Sequence, residues 1–332
     1  MFQMINNALT AVDNFVWGVP LIVMILATGI FLTVRLGGIQ IRRLPKASSY
    51  MVQNAEEGEG EVTSFAALCT ALSATIGTGN IVGVATALVA GGPRALFWMW
   101  IAALFGMATK YAEGVLAIRY RVVDSENHVL GGPFYYIENG MGKNFRWLGM
   151  LFACFGACVG LLGIATFTQV NGITSAVGDF FDSEVSREIV LFGREYSLAV
   201  LISGLILTVC VAMVVIGGIQ RISRVSEMVV PFMAVIYVAA CLVILGTHWR
   251  QIPQAFSLIL ESAFGLRSIG GGALGSVLVA MQKGIARGIF SNEAGLGSAP
   301  IAAAAAQTKE PARQGLVSMT GTFIDTIIIC TM

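Results

Sequence analysis

Residues 74–80 read Ala-Thr-Ile-Gly-Thr-Gly-Asn and lie at the centre of an uncharged run from Val62 to Gly92. About 20 apolar residues are enough to cross a bilayer as a helix, so this run is longer than one plain span. Two glycines separated by a threonine disfavour an uninterrupted helix. Backbone groups freed inside a membrane are tolerated only where they line a cavity or are buried in protein. The stretch therefore predicts a helix that breaks in mid-membrane, although a packing seam of small residues would have the same composition.

A second stretch near the other end of the chain echoes the first. Residues 295–298, Gly-Leu-Gly-Ser, align with residues 77–80, Gly-Thr-Gly-Asn, at an offset of 218. Five predicted spans separate the two copies, so the copies would cross the membrane in opposite directions. Paired discontinuous helices in inverted repeats indicate a transporter with a binding site near the bilayer midplane. We place the second break at residues 291–298, and Gly270-Gly271-Gly272 is the rival position.

Composition predicts an all-α polytopic membrane protein. Of the 332 residues, 56% are hydrophobic and 12% are charged, where a soluble domain has about 25% charged residues. This composition excludes an ordinary soluble enzyme and a disordered chain, and a net charge of +1 leaves no basic surface for nucleic acid. We expect eight spans in the lipid bilayer. They are a leading helix at 16–34 and core helices one to seven at 62–92, 95–118, 147–178, 196–220, 228–247, 268–308 and 314–332.

The loop charges predict the orientation of the chain. With the N-terminus outside, twelve Lys and Arg residues fall in inside loops and five in outside loops. Lys and Arg are enriched in cytoplasmic loops, so this placement is favoured. We therefore expect an integral protein of a bacterial-type inner (plasma) membrane with its N-terminus outside.

Other classes of function lack the residues they need. The six cysteines lie in apolar runs, and His128 and His248 match no metal-site or hydrolase pattern. We therefore expect no enzyme, no metal site and no organic cofactor. A channel would need a charged ring or a carbonyl filter built by several subunits, and the single, unlike breaks argue against one.

Broken helices predict the chemistry of the ligand. The N-terminus of a half-helix presents free N–H groups and the positive end of a dipole, which suits a carboxylate. Unwound carbonyls and half-helix C-termini can coordinate Na⁺. A small zwitterionic amino acid together with a cation fits these elements.

Charged and polar residues inside the spans are functional candidates because burying them in a bilayer is costly. Asp325 is either a Na⁺ ligand or the partner of Lys283 or Arg287 in an ion pair. Lys110 and Glu113 lie three residues apart and either pair with each other or gate the cytoplasmic side. Glu293 either caps a half-helix or accepts from a substrate ammonium group. Gln169 and Asn171 either contact substrate or form interhelical hydrogen bonds.

Long motifs resemble those of the alanine or glycine:cation symporters, also called sodium:alanine symporters, of the amino acid–polyamine–organocation superfamily. The resemblance extends from residue 16 to the end of the chain. The motifs are ATIGTGNI at 74–81, GGPRALFWMW at 91–100, GMATKYAE at 106–113, FSNEAGLGSAP at 290–300 and VSMTGTFIDT at 317–326.

The resemblance implies a LeuT-like fold of five plus five inverted core helices after one leading helix. It also implies import of L- or D-alanine or glycine driven by Na⁺, with H⁺ as the other possible coupling ion. We expect one transporter domain, 1–332. It comprises a leading helix and basic loop (1–61), a first five-helix repeat (62–247) and an incomplete second repeat (248–332). Members of the family have about eleven spans, so the alternative is a truncated fragment that inserts but cannot transport.

The resemblance and the two breaks together define the candidate site. The first unwound segment and core helix three would bind substrate, and the second break would add to them. The expected substrate-binding residues are Gly77, Thr78, Gly79, Asn80, Gln169, Ser291, Asn292 and Glu293. The expected cation-binding residues are Ala74, Asn80 and Asp325.

Overall fold

A computed structural model describes residues 2–16, 18–53, 58–126, 128–181, 188–191, 194–264 and 273–332. The described residues are mostly helical, with two short antiparallel hairpins, β1–β2 (Val122–Val123, Val129–Leu130) and β3–β4 (Glu188–Leu191, Arg194–Ser197). The α-helices are α1 Phe2–Val16, α2 Val19–Arg35, α3 Ile39–Arg42, α4 Leu44–Val52, α5 Ser64–Thr75, α6 Thr78–Gly91, α7 Arg94–Arg119, α8 Pro133–Met141, α9 Arg146–Leu162, α10 Ile164–Phe181, α11 Leu198–Val215, α12 Gly218–Thr247, α13 Ile252–Ala263, α14 Ala273–Asn292, α15 Ala299–Ala304 and α16 Pro311–Thr322.

The expected polytopic architecture is confirmed, whereas the number of spans is not. In the described ranges, four helical stretches are long and apolar enough to cross a membrane, and the bent pair α5–α6 makes a fifth. The four stretches are Arg94–Arg119, Lys143–Phe181, Leu198–Val215 and Gly218–Thr247. The apolar helix α2 has 17 residues. The predicted sixth and seventh core spans are divided, the former into α14 and α15 and the latter into α16 and a π-helical segment, Phe323–Ile329.

Helix α7 lies at the centre of the fold and packs against α2, α14 and α16. Small residues allow these close approaches, as is usual between membrane helices. Gly114 lies so close to α16 that a Cβ atom there would come within 2.9 Å of the Gly315 Cα atom. On α14, a Cβ atom on Gly288 would come within 3.3 Å of the Met99 Cα atom. Glycines therefore form contacts that hold the centre of the molecule together.

The first break lies where the sequence predicts it. Helix α5 starts at an N-cap, Thr63, whose side chain accepts a hydrogen bond from Ala66 N at 3.0 Å. It ends at Thr75, and α6 begins at Thr78 after the extended residues Ile76 and Gly77. The two helices are bent by 44° relative to each other.

The second break begins two residues later than expected. Ser291 and Asn292 still belong to the last turn of α14, which is continuous from residue 273. The chain then leaves the helix through Glu293, Gly295 and Gly297, whose φ angles of 54°, 87° and 78° are left-handed. Glycine adopts these angles without steric cost, which explains why both glycines are needed here. The rival position, Gly270-Gly271-Gly272, lies outside the described residues.

Other expectations are refined or corrected. Core helix three, expected as one run at 147–178, lies within the stretch Lys143–Phe181, which Gly163 interrupts between α9 and α10 as a left-handed C-cap with φ 61°. Helix α12 starts at Gly218, so Arg221 and Arg224 lie in its first turns rather than in a loop. The segment 252–263, expected as an outside loop, forms α13, which starts with Pro253 in its first turn.

Arg121 holds the far end of the second break. Its guanidinium donates to the carbonyls of Ala304 at 2.8 Å, Ala306 at 2.7 Å and Thr308 at 3.0 Å, and to Glu59 O. Ala304 is the last residue of α15, and Ala306 and Thr308 follow it, where a cation is favourable for the helix dipole. Burial lowers the pKa of Arg121, and the charge of Glu59 opposes that shift.

Candidate functional site

A cavity of about 470 Å³ lies between the first break, α10 and the end of α14. This volume is typical of a small-molecule site, about 300–1,000 Å³. Residues of both broken helices line it, as the echo between the two stretches predicts. The lining residues are Ala74, Thr75, Thr78, Gly79, Val82, Gly83, Thr86, Thr168, Gln169, Asn171, Gly172, Arg287, Phe290, Ser291 and Glu293.

Gln169 on α10 caps the N-terminus of α6. Its Oε1 atom accepts from Thr78 N at 3.0 Å and from the Thr78 hydroxyl at 2.9 Å. Two glycines permit this contact. A Cβ atom on Gly77 would come within 2.9 Å of the Gln169 Cδ atom, and one on Gly172 would come within 2.6 Å of Thr78 Cγ2. The amide of Gln169 thus occupies part of the positive end of α6 that the sequence assigns to a carboxylate.

Asn80 and Asp325 are the centre of a buried polar cluster. The Asp325 carboxylate accepts from Asn80 Nδ2 at 2.7 Å, Ser291 Oγ at 2.9 Å and Thr326 Oγ1 at 2.8 Å. Asn80 Oδ1 accepts from Gly77 N at 2.9 Å, so the same amide also secures the unwound segment. Asn80 is 2% exposed and Asp325 is 0% exposed. The cluster therefore joins the first break to α14, through Ser291, and to the final segment of the chain, through Asp325.

Lys110 and Glu113 do not pair with each other within the described chain. Lys110 Nζ instead donates to Asn292 O at 2.9 Å, at the C-terminal end of α14. Glu113 Oε1 accepts from Gly297 N at 3.2 Å, in the unwound segment. A cation at a helix C-terminus and a carboxylate on free N–H groups are both favourable. The two α7 side chains therefore hold the second break, a role that their spacing in the sequence did not reveal.

Glu293 occupies the second break itself. Its carboxylate accepts from the Oγ atom of Ser298, the N-cap residue of α15. It is the single non-glycine residue with a positive φ angle among the described residues. Asn292 points away from the cavity, because its side chain donates to Thr326 Oγ1 and accepts from Ala294 N, both at 3.0 Å.

The structure thus divides the predicted site residues into two groups. Six line the cavity, whereas Gly77, Asn80, Asn292 and Asp325 lie behind its wall. No ion pair joins Asp325 to Lys283 or Arg287 in the part of the chain that the structure describes, so that alternative is wrong. The six cavity residues are Ala74, Thr78, Gly79, Gln169, Ser291 and Glu293.

Arg287 is the cavity residue that the sequence did not identify as part of the site. Its Nη2 atom donates to Gly79 O in the first turn of α6. The sequence did show a charged residue in an apolar segment, but the fold is needed to show that this residue contacts the first break.

Comparison with known proteins identifies the family of the chain. Residues 2–332 match the sodium:alanine symporter family. The chain belongs to this family. It is 55% identical to an uncharacterized transporter of Haemophilus influenzae, covering 99% of this chain and 68% of the relative. It is 49% identical to the sodium/alanine symporter AgcS of Methanococcus maripaludis, covering 98% and 69%, respectively. It is also 38% identical to the probable sodium/glutamine symporter GlnT of Bacillus subtilis, covering 100% and 65%.

Membership of the sodium:alanine symporter family settles the broad class of function. The family consists of symporters rather than enzymes, so the chain is a cation-coupled amino acid transporter and an integral membrane protein. Na⁺ is the coupling ion named for the family and for two of these relatives. The chain spans about two thirds of the length of the relatives it matches.

Proposed function

We propose that this chain imports a small neutral amino acid, alanine (L- or D-) or glycine, together with Na⁺ by alternating access. The observation that carries the proposal is the joint lining of one cavity by Thr78 and Gly79 from the first break and by Ser291 and Glu293 from the second. Discontinuous helices that meet in this way are typical of substrate sites in secondary transporters. The name of AgcS supports alanine, and small lining residues such as Ala74 and Gly79 favour a small side chain.

The substrate contacts follow from the groups that face the cavity. Thr78, Gly79 and Gln169 offer a hydroxyl, backbone groups and an amide at one wall, and Ser291 and Glu293 offer a hydroxyl and a carboxylate at the other. Gly77, Asn80 and Asn292 act from behind this wall by shaping the unwound segments.

Na⁺ is proposed to bind beside Asn80 and Asp325, with the carbonyl of Ala74 as a third oxygen. Asp325 supplies a carboxylate, and Asn80 supplies an amide oxygen if its side chain turns away from Gly77. Such a turn would loosen the first unwound segment, so occupancy by Na⁺ and the shape of the substrate site would be linked. Linkage of this kind makes each ligand raise the affinity of the other by the same factor, about 5- to 150-fold in typical cases.

The fold is proposed to be LeuT-like, with residues 62–247 as the first repeat and 248–332 as part of the second. The bent helix α5–α6 and the interrupted pair α14–α15 are the corresponding helices of the two repeats. Their unwound segments would lie near the midplane of a bacterial-type inner membrane, with the N-terminus outside.

Uptake by the purified chain in proteoliposomes tests the proposal. We expect uptake of labelled alanine that requires an inward Na⁺ gradient and that excess unlabelled glycine suppresses. Thr78→Ala and Asn80→Ala should abolish it, whereas Thr208→Ala, at an exposed hydroxyl bonded within α11, should leave it unchanged. Uptake that ignores Na⁺, or full uptake by Thr78→Ala, would contradict the proposal.

The choice of amino acid needs its own comparison, because one relative is named for glutamine. Competition by L-alanine, D-alanine, glycine and L-glutamine in the same vesicles ranks the candidates. We expect glutamine to be the weakest competitor, and glutamine as the strongest would replace alanine in the proposal.

A further inference from the structure

The candidate cavity contains two charged side chains of opposite sign. Among the described residues that line it, Arg287 is the cation and Glu293 is the anion, and all the others are neutral. A charge held in a membrane protein is costly unless it has a partner or a function. Arg287 lies in the last turns of α14, and Glu293 directly follows Asn292, the last residue of that helix.

The position of Arg287 is fixed by the first broken helix. Its Nη2 atom donates to Gly79 O, and its guanidinium lies 5.4 Å from the centroid of the Phe290 ring. The guanidinium occupies the space that a Cβ atom on Gly83 would fill. A guanidinium has five N–H donors in a fixed fork. Within the described residues Nη2 makes the hydrogen bond and the buried Nε lies against Gly83, so the N–H groups of Nη1 remain as donors for a ligand.

Glu293 is held in an uncommon backbone conformation. Its φ angle of 54° is left-handed, which is unfavourable for a residue with a long side chain. Such outliers occur where the surrounding structure enforces a geometry that function needs. The carboxylate bonds to Ser298 Oγ, and a carboxylate can accept further hydrogen bonds.

We infer that Arg287 and Glu293 recognise the two charges of a zwitterionic amino acid, the carboxylate at Arg287 and the ammonium group at Glu293. The inference rests on the proposed function, because it assigns the two ends of the substrate in that same cavity. Arg287 is then a specificity residue that selects ligands with a carboxylate. Its hydrogen bond to Gly79 O connects carboxylate binding to the first break. Arginine suits this role because its fork can bind a carboxylate through two parallel hydrogen bonds.

Three probes that differ in one charge test the inference. L-alanine carries both charges, alaninamide lacks the carboxylate and lactate lacks the ammonium group. Binding of each to the full chain in lipid nanodiscs with Na⁺ is measured by calorimetry. Arg287→Gln should lower the affinity for alanine by about tenfold or more and leave the affinity for alaninamide unchanged. Glu293→Gln should lower the affinities for alanine and alaninamide and leave the affinity for lactate unchanged.

Two further variants separate recognition from folding. Lys283→Gln removes a cation one turn from Arg287 that does not line this cavity, and it should change none of the three affinities. Gly83→Ala keeps the charge of Arg287 but fills the place of its guanidinium. It should therefore also lower the affinity for alanine more than the affinity for alaninamide. Gly83→Ala therefore provides the test if Arg287→Gln does not fold.

The outcomes distinguish the inference from the proposed function. If Arg287→Gln and Gly83→Ala each lowered the affinities for alanine and alaninamide equally, the inference would be overturned and the proposed function would remain intact. Failure of the unmodified chain to bind alanine or glycine in Na⁺ would instead overturn the proposed function.

Discussion

Single residues show how far the sequence predicts the site. Asp325 and Gln169 stand out because polar groups are rare in apolar spans, and the structure places both at the first break. Their partners could not be derived from the sequence, because Asn80 and Asp325 are 245 residues apart along the chain. Lys110 shows the same limit. Its neighbour in sequence, Glu113, suggested an ion pair, whereas its partner in the fold is a backbone carbonyl 182 residues away.

Replacing Lys110 should destabilise the second break. Lys110→Met keeps most of the side-chain volume but leaves Asn292 O without its donor, and an unsatisfied buried acceptor costs about 1–3 kcal/mol. We expect a lower thermal unfolding midpoint in detergent and a loss of alanine binding. Lys283→Met, at an exposed cation on α14, is the control and should leave the midpoint unchanged. A midpoint equal to the unmodified protein's in Lys110→Met would show that this hydrogen bond does not hold the break.

Elements differ in how well the sequence predicts them. Both breaks were found because glycines and a threonine or serine interrupt apolar runs. At the second break the backbone also turns left-handed at Gly295 and Gly297, which favours glycine. The division of α9 from α10 was missed, because Gly163 is one glycine among many in that run. Helix α13 was missed because its 12 residues are too few to span a membrane, so the search for long apolar runs passed over it. The π-helical segment Phe323–Ile329, which follows α16, was not predicted either.

The contact between α7 and α16 can be tested with one methyl group. Gly114→Ala would place a Cβ atom within 2.9 Å of the Gly315 backbone, which cannot move aside without displacing α16. Overpacking of this kind costs about 1–3 kcal/mol, so we expect a clear loss of thermal stability. Gly204→Ala on α11 is the matched control, since no atom lies within 4 Å of the added Cβ and alanine is the better helix former. Equal stability of the two variants would refute the close packing of α7 on α16.

At the scale of the whole molecule, the distribution of charge and apolar surface sets the relation to the bilayer. Helix α11 buries none of its residues within the described protein, and its side chains are almost all apolar. Lipid or further protein must therefore surround it, because water would be unfavourable along its length. Orientation depends on the loops instead. The segment around α3 and α4 carries Arg42, Arg43 and Lys46, whereas the segment after α12 carries Arg250.

Labelling from one side of the membrane tests the predicted orientation. In a background with Cys154, Cys158, Cys210 and Cys241 replaced by serine, a single cysteine is introduced as Ser48→Cys or Gln251→Cys, both at exposed positions. Clusters of Lys and Arg remain in the cytoplasm, so a membrane-impermeant maleimide added to intact cells should label Gln251→Cys and spare Ser48→Cys. Permeabilised cells should show labelling of both variants, which controls for reactivity. The opposite pattern in intact cells would place the N-terminus inside. Because the gradient of Na⁺ has a fixed direction across the membrane, such a result would also reverse which end of the candidate cavity first receives substrate during import.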